Sequence, residues 1–283
     1  LPARRIDLHT HSTASDGTTA PADLVREARE AGLDVVALTD HDTTGGHAQA
    51  VAALPAGLSL VRGAEISCAH GGISLHLLAY LFDPDDPVLT SALRALRSSR
   101  TGRAEAMARK LEQAGTGVTW AQVQALAGGT VGRPHVAQAL IALGHVRTVS
   151  EAFTPDWIGT GGRFYVPKLE LDVLEAIALV TAAGGVAVFA HPAATSRGRT
   201  VGDDVVASMA AAGLAGLEVD HVDHDDTARE HLRGLADELG LLVTGSSDFH
   251  GSNKTVRLGA HLTSEDALER IVAGARGVEV VTA

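Results

Sequence analysis

Histidines and carboxylates recur along this chain in short groups whose spacing suits metal ligation. The first is His9-Thr10-His11, followed by Asp16. Residues i and i+2 of an extended segment point to one side, so His9 and His11 can hold one ion together. His41 sits in Thr39-Asp40-His41-Asp42, Glu65 closes an apolar run, and His76 lies inside the next one. His191 ends the run Gly185 to Ala190, and Asp248-Phe249-His250 follow Leu241 to Thr244. A lone histidine at a strand end is usually a satisfied hydrogen bonder. Six histidines and three carboxylates at repeated strand ends point instead to a metal site. Imidazole mixed with carboxylate suits Mn, Fe or Zn. Several such ions together can generate hydroxide near neutral pH and clamp an oxyanion.

These groups need a frame that brings them together. Residues 4–8 and 34–39 read as short strands. Between them, residues 21–31 carry Leu24, Val25 and Ala28 at helical spacing, with Gly32 as a stop. That is a β-α-β unit, the seed of a parallel sheet. Residues 57–65 and 73–82 read as further strands, and the Pro/Asp cluster at 83–87 breaks the chain. Residues 89–143 look helical, with Leu93, Leu96, Met107 and Leu111 on one apolar face and shorter helices at 120–127 and 135–143. The alternation resumes at Val166. Helices are predicted at 171–183, 205–212 and 226–239, and strands at 185–190, 216–219 and 241–244. Strands this apolar predict a closed or doubly covered parallel sheet. The candidate ligands fall where strands feed loops, the end that holds the active site in α/β barrels.

Composition narrows the function. The 283 residues are 45% hydrophobic and 20% charged, a globular balance. Aromatics are only 3%, a poor basis for stacking single-stranded nucleic acid. Cys68 is alone, which rules out a disulfide framework and a Cys-rich zinc module and fits a reducing compartment. No run reaches the ~20 apolar residues of a membrane span. The first residues carry no apolar signal-peptide core, so a cytoplasmic location is expected. The net charge of −11 opposes generic polyanion binding, but it is unevenly spread. Residues 94–168 hold ten Lys/Arg against four Asp/Glu, +6, leaving −17 for the remainder. A basic insertion on an acidic body suggests an anion clamp over a site on that body.

The motifs His9-x-His11, Thr39-Asp40-His41, Gly63-Ala64-Glu65, Ala190-His191-Pro192 and Ser247-Asp248-Phe249-His250, in this order, resemble the polymerase and histidinol phosphatase (PHP) superfamily. The resemblance implies a distorted (β/α)7 barrel. Residues 1–88 and 166–283 would form it, and 89–165 a helical, basic cap. It also implies two or three divalent ions. One would take His9, His11, Glu65 and Asp248. A second would take Glu65, His76 and His191, and a third Asp16, His41 and His250. The stretches Gly132-Arg133-Pro134-His135 and Tyr165-Val166-Pro167-Lys168 resemble the branch of 3′,5′-nucleoside-bisphosphate phosphatases and 5′-to-3′ exoribonucleases.

A substrate with two phosphates needs one at the metals and one held elsewhere, and Arg forks suit the second. Arg133 and His135 are the first candidates, then Lys168, Arg103 and Arg197. The expected reaction is hydrolysis of a phosphomonoester of a small nucleotide by metal-bound hydroxide, with inversion and without a Ser or Cys nucleophile. A metal-bound water, Asp42 or a loop histidine would protonate the leaving oxygen. The alternatives are exonucleolytic attack on short RNA 5′ ends and a metal-binding regulatory module without turnover. Neither a membrane nor an obligate protein partner is expected. Among the remaining histidines, His221 and His224 read as an active-site rim or solvated loop, and His231 and His261 as surface residues.

Overall fold

Why the ligand groups converge follows from how the sheet closes. The computed structural model describes residues 3–283. In chain order its elements are β1 (Ile6–Asp7), α1 (Pro21–Glu30), β2 (Val35–Leu38), α2 (His47–Ala52), β3 (Ser59–His70), β4 (Ile73–Tyr80), α3 (Pro87–Gln113), α4 (Trp120–Ala125), α5 (Arg133–Ala142), α6 (Val149–Ala152), β5 (Leu171–Asp172), α7 (Val173–Ala182), β6 (Val186–Phe189), α8 (Asp203–Ala211), β7 (Gly216–Asp220), α9 (Asp226–Leu239), β8 (Leu242–Gly245), α10 (Glu265–Gly274) and β9 (Val281–Thr282). Seven strands form a nearly closed barrel in the order β1-β2-β3-β4-β6-β7-β8. Neighbours are parallel, except that β4 runs antiparallel to β3 and β6. The seam is bridged just beyond β8 and β1, where the His11 N–H donates to Phe249 O at 2.8 Å. Below it, the Asp7 carboxylate accepts from the N–H groups of Ser247 and Gly259, at 3.0 and 2.8 Å.

The expected α/β barrel with a helical insertion is what folds. Alternation explains its interior. Ile6 and Leu8, Val35 and Ala37, Leu78 and Tyr80, Val186 and Val188 meet inside it, each pair two residues apart. Leu24, Val25 and Ala28 of α1 cover the other side of β2 through Val36 and Leu38. Burying such side chains supplies roughly 1.5–3 kcal/mol each.

Two boundaries differ from the sequence reading. The strand expected to end at Glu65 continues to His70, because β3 changes partners on the way. Ser59 to Arg62 pair with β2, and Gly63 to His70 pair with β4. Gly63 stands at the switch, where a Cβ would lie 2.6 Å from Ala79 O. Residues 171–172, expected as helix, instead pair with Cys68 and Ala69 as β5. The helix starts after Asp172, whose carboxylate accepts the Leu174 N–H at 2.9 Å.

The insertion has its own core, and α3 joins it to the barrel. Leu89, Leu93 and Leu96 pack in the barrel's outer core, whereas Ala104, Met107 and Leu111 pack with Val123, Val136, Leu140 and Phe164. Packing therefore passes from barrel to cap within α3. The cap rests on the loop that carries Asp16. Thr130 N–H donates to Ala14 O at 3.2 Å, and Gln138 bonds Asn253, which bonds Asp16 O.

The buried Tyr80 hydroxyl donates to Leu8 O at 2.9 Å, tying β4 to β1 across the barrel. Tyr80→Phe leaves that carbonyl unpaired and is expected to destabilise the protein by about 1–3 kcal/mol in urea unfolding.

Candidate metal centre

All nine candidate ligands arrive in one place. His9 and His11 follow β1, with Asp16 in the next loop. His41 follows β2, Glu65 lies within β3, His76 within β4, His191 follows β6, and Asp248 and His250 follow β8. Glu65 stands at the centre. Its Oε2 lies 3.2 Å from His9 Nε2, 3.0 Å from His11 Nε2 and 3.1 Å from His41 Nδ1. Its Oε1 lies 2.7 Å from His76 Nδ1 and 3.1 Å from His191 Nε2. Asp248 Oδ1 lies 3.4 Å from both His9 and His11 and 3.3 Å from His250. Asp16 faces His41 at 3.6 Å and His250 at 3.4 Å.

The donor set fits divalent ions. Three groups have ligand atoms in mutual reach: His11, Asp16, His41 and His250; His9, His11 and Asp248; and His41, Glu65 and His76. His11 and His41 are thus each shared by two groups, a denser arrangement than three separate sets. His41 Nδ1, His76 Nδ1 and Asp248 Oδ1 are buried without a well-aligned hydrogen bond, although Glu65 oxygens lie close to both imidazole nitrogens. Burial opposes the charge on Glu65, but His41, His76 and His9 outweigh it and hold its carboxyl well below the usual range. Burial, then Arg197, pushes His191 down to about 3. Burial, then His11, brings His250 to about 4, so both imidazoles are neutral and able to coordinate.

The backbone is strained here. Asp42, His191 and Asp248 have φ of 54°, 34° and 53°, a left-handed region uncommon outside glycine. Strain of this kind costs about 1–3 kcal/mol per residue and persists only where surrounding contacts over-determine it. At Asp42 those contacts are explicit. Its Oδ1 accepts the Ser67 N–H at 2.7 Å, and its Oδ2 accepts Ser67 Oγ and Arg100. Its backbone oxygen accepts Arg97 at 2.8 Å.

Comparison with known proteins agrees with this geometry. A family profile described as the PHP domain matches residues 7–127. A 5′-3′ exoribonuclease of Haemophilus influenzae is 34% identical over 94% of this chain and 97% of its own length. The chain belongs to the PHP family. A 3′,5′-nucleoside bisphosphate phosphatase of Chromobacterium violaceum is also 34% identical, over 87% of each chain. An inferred metal-dependent phosphoesterase of Bifidobacterium adolescentis superposes with a TM-score of 0.92, at 38% identity over 97% of this chain and 98% of the other.

In this PHP chain the five substrate-binding candidates divide. Arg103, Arg133, His135 and Lys168 lie on the cap side. Arg103 is buried, donates to Val166 O at 2.7 Å and sits over the Tyr165 ring. Arg133 lies over Phe153, and His135 accepts the Gly132 N–H on Nδ1, which leaves its proton on Nε2. Lys168 Nζ is 3.2 Å from Glu170, in poor hydrogen-bond alignment. Arg197 stands apart from these four. It bridges Asp223 at 2.7 Å and Asp248 Oδ2 at 2.6 Å.

Several expectations are corrected. His221 and His224 do not lie in a solvated loop, being 0% and 3% exposed. Asp42 is no free proton donor, since both its oxygens are engaged. His261 is half-buried, unlike the exposed His231. Cys68 is buried, and burial pushes its thiol up, in keeping with a structural role. The sequence reading missed Glu218, Arg100 and Lys254, none of which lies in a ligand motif. Lys254 contacts Asp248 Oδ2 beside Arg197. Among the described residues no helix is long and apolar enough to cross a membrane.

Mn2+ at a hundredfold excess over its dissociation constant is expected to stabilise the protein by about 2.7 kcal/mol. That is about 5–10 °C in melting temperature at this chain length. EDTA should reverse the gain. Ligands must be deprotonated to bind, and although burial opposes it, Asp248 and Glu65 raise His11 to about 9, so the gain should grow from pH 7 to 9 and fall as the pH drops below neutral. Thermal melts with and without metal at each pH check this.

Proposed function

We propose that this enzyme hydrolyses a phosphomonoester of a small nucleotide, a nucleoside 3′,5′-bisphosphate. One observation carries the substrate reading: cations crowd the cap side with few carboxylates among them. Burial, then Arg133, lowers Arg103 to about 9, and burial lowers Arg133 as well. Among the described residues neither has a carboxylate ion-pair partner, and Asp16 of the candidate metal centre is near enough to Arg133 and His135 to influence their charge. Like charges held this close are costly without an anion between them. A second phosphate supplies that anion. The Chromobacterium violaceum relative is named for that substrate class, and the relatives here carry the names of phosphoric ester hydrolases.

The nine ligand residues would hold two or three divalent ions, with Glu65 shared. Such ions activate water near neutral pH and offset charge on the phosphoryl oxygens. The protein's own groups position the rest. Arg103 and Arg133 offer forked donors to the second phosphate, and His135 offers the Nε2–H. Arg197 and Lys254 fix the outer oxygen of Asp248, leaving Oδ1 toward the histidines. Aromatic stacking is not needed for a substrate gripped at both phosphates.

A second reading is removal of nucleotides from RNA 5′ ends, the activity for which the Haemophilus relative is named. The observation favouring it is an open groove of about 730 Å³ lined by Ala14, Thr43, Gly45, Arg97, Thr101 and Gly129, beside the metal loops. The groove could take a chain continuing beyond the first nucleotide.

Phosphate release by Mn-loaded enzyme from adenosine 3′,5′-bisphosphate, 5′-AMP and 3′-AMP tests the main reading. Turnover of the bisphosphate alone, lost in Asp248→Ala, is expected. Arg133→Met should raise KM about tenfold or more, since a charge-assisted hydrogen bond contributes ~1.5–3 kcal/mol. Release from none of the three, with cleavage of 5′-phosphorylated oligonucleotides, would replace it with the exonuclease reading.

Lys168 adds a stability prediction. Burial, then Arg100, lowers it to about 8. A cation whose folded pKa lies below its unfolded value of ~10.4 destabilises the fold. The penalty is full below the folded value and relieved between the two. Lys168→Met should therefore raise urea stability at pH 7 by about 1–3 kcal/mol while weakening bisphosphate binding. Lower stability would make Lys168 a structural partner of Glu170.

A further inference from the structure

β7 is the one strand of the seven that supplies none of the nine candidate ligands, either along its length or at its end. Its residues stand behind the ligands instead. Glu218, fully buried, accepts the His9 Nδ1–H on Oε1 at 2.9 Å and the His191 backbone N–H on Oε2 at 2.8 Å. His221, also fully buried, accepts the Asp223 N–H on Nδ1 at 3.0 Å. Its proton therefore sits on Nε2, 3.3 Å from Asp248 Oδ2. His224 donates from Nδ1 to Val219 O at 2.8 Å and accepts the Ala193 N–H on Nε2 at 3.1 Å.

We propose that Glu218, His221 and His224 are positioning residues that preset His9, Asp248 and His191 for divalent ions. The proposal rests on reading the nine residues as metal ligands. The Glu218 bond fixes the His9 proton on Nδ1, which turns the Nε2 lone pair toward Glu65, His11 and Asp248. A carboxylate behind a ligating imidazole also raises its basicity. The same carboxylate grips the backbone of His191, whose φ of 34° needs an external hold. His224 holds the next turn of that loop at Ala193. His221 grips Asp248, the other ligand with positive φ. One strand end thus secures three ligands on three neighbouring segments, two of them strained.

The test uses the full chain with Mn2+ and Co2+ as probes. The variants are Glu218→Gln, His224→Phe, His221→Leu and His221→Gln, with the exposed His231→Ala as control. Apoprotein melting is measured first, then metal content across buffered metal concentrations, then the visible absorption of the Co2+ form. Glu218→Gln is expected to melt within a few degrees of wild type yet need about 10–100-fold more metal for half occupancy. Its Co2+ spectrum should shift. His224→Phe should show the same separation more weakly. His221→Gln, whose amide can still donate to Asp248, should recover most of the affinity that His221→Leu loses.

Wild-type metal uptake and an unshifted Co2+ spectrum in Glu218→Gln would overturn the proposal. Equal losses in His221→Gln and His221→Leu would overturn it for His221, making that residue a ligand. If Glu218→Gln does not fold, the His221 pair decides the matter. No metal uptake by the wild type would instead defeat the metal-site reading itself.

Discussion

A single buried carboxylate organises this molecule. Glu65 is 1% exposed and faces five imidazoles, from His9, His11, His41, His76 and His191, at 2.7–3.2 Å. A carboxylate so buried would carry a large desolvation cost unless cationic or coordinating groups surrounded it. The barrel meets that requirement by bringing four other strands to it. Gly63 lets β3 pass from β2 to β4 at close quarters, and this places Glu65 mid-strand, where partners approach from both sides. Closure at Thr10 and Phe249 then brings Asp248 and His250 into the same space.

The site departs from a relaxed fold in ways that agree with one another. Asp42, His191 and Asp248 adopt left-handed backbone, and three ligand atoms are buried without a well-aligned hydrogen bond. Both are what preorganisation for a cation looks like before the cation's charge is counted. The holding contacts come from behind: Ser67 and Arg100 for Asp42, and the end of β7 for His9, His191 and Asp248.

The cap adds charge of the opposite sign. Arg97 and Arg100 of α3 clasp Asp42, the neighbour of His41, so the seating of the cap and the geometry of the centre share a hydrogen-bond network. Gln138, Asn253 and Asp16 O make a second link on the other side. Arg103 and Arg133, which neither link uses, have no carboxylate ion-pair partner among the described residues. The division of labour is physical. Cations near carboxylates fasten the cap, and the role proposed for those without them is to meet an anion.

The candidate ligands and the barrel were legible in the sequence because both rest on local pattern. Residues two apart share a face, so His9-x-His11 declared itself, and apolar runs marked β2, β4, β6 and β8 within a few residues. Helix α10 left a similar signal in its Ser264 cap and its buried Leu268 and Ile271, and the sequence reading passed over it. What surrounds the ligands left no such signal. Glu218 lies 209 residues from His9, and nothing in Gly216-Leu217-Glu218-Val219 distinguishes a carboxylate facing solvent from one facing an imidazole. His221 and His224 resembled a polar loop because their neighbours are aspartates, yet strand order buried them. The sequence alone determined which side chains could ligate and roughly where the strands lie. Tertiary structure decided which cations fasten and which stay free, which backbones are strained, and which residues hold them, because those depend on contacts between segments that only sheet closure brings together.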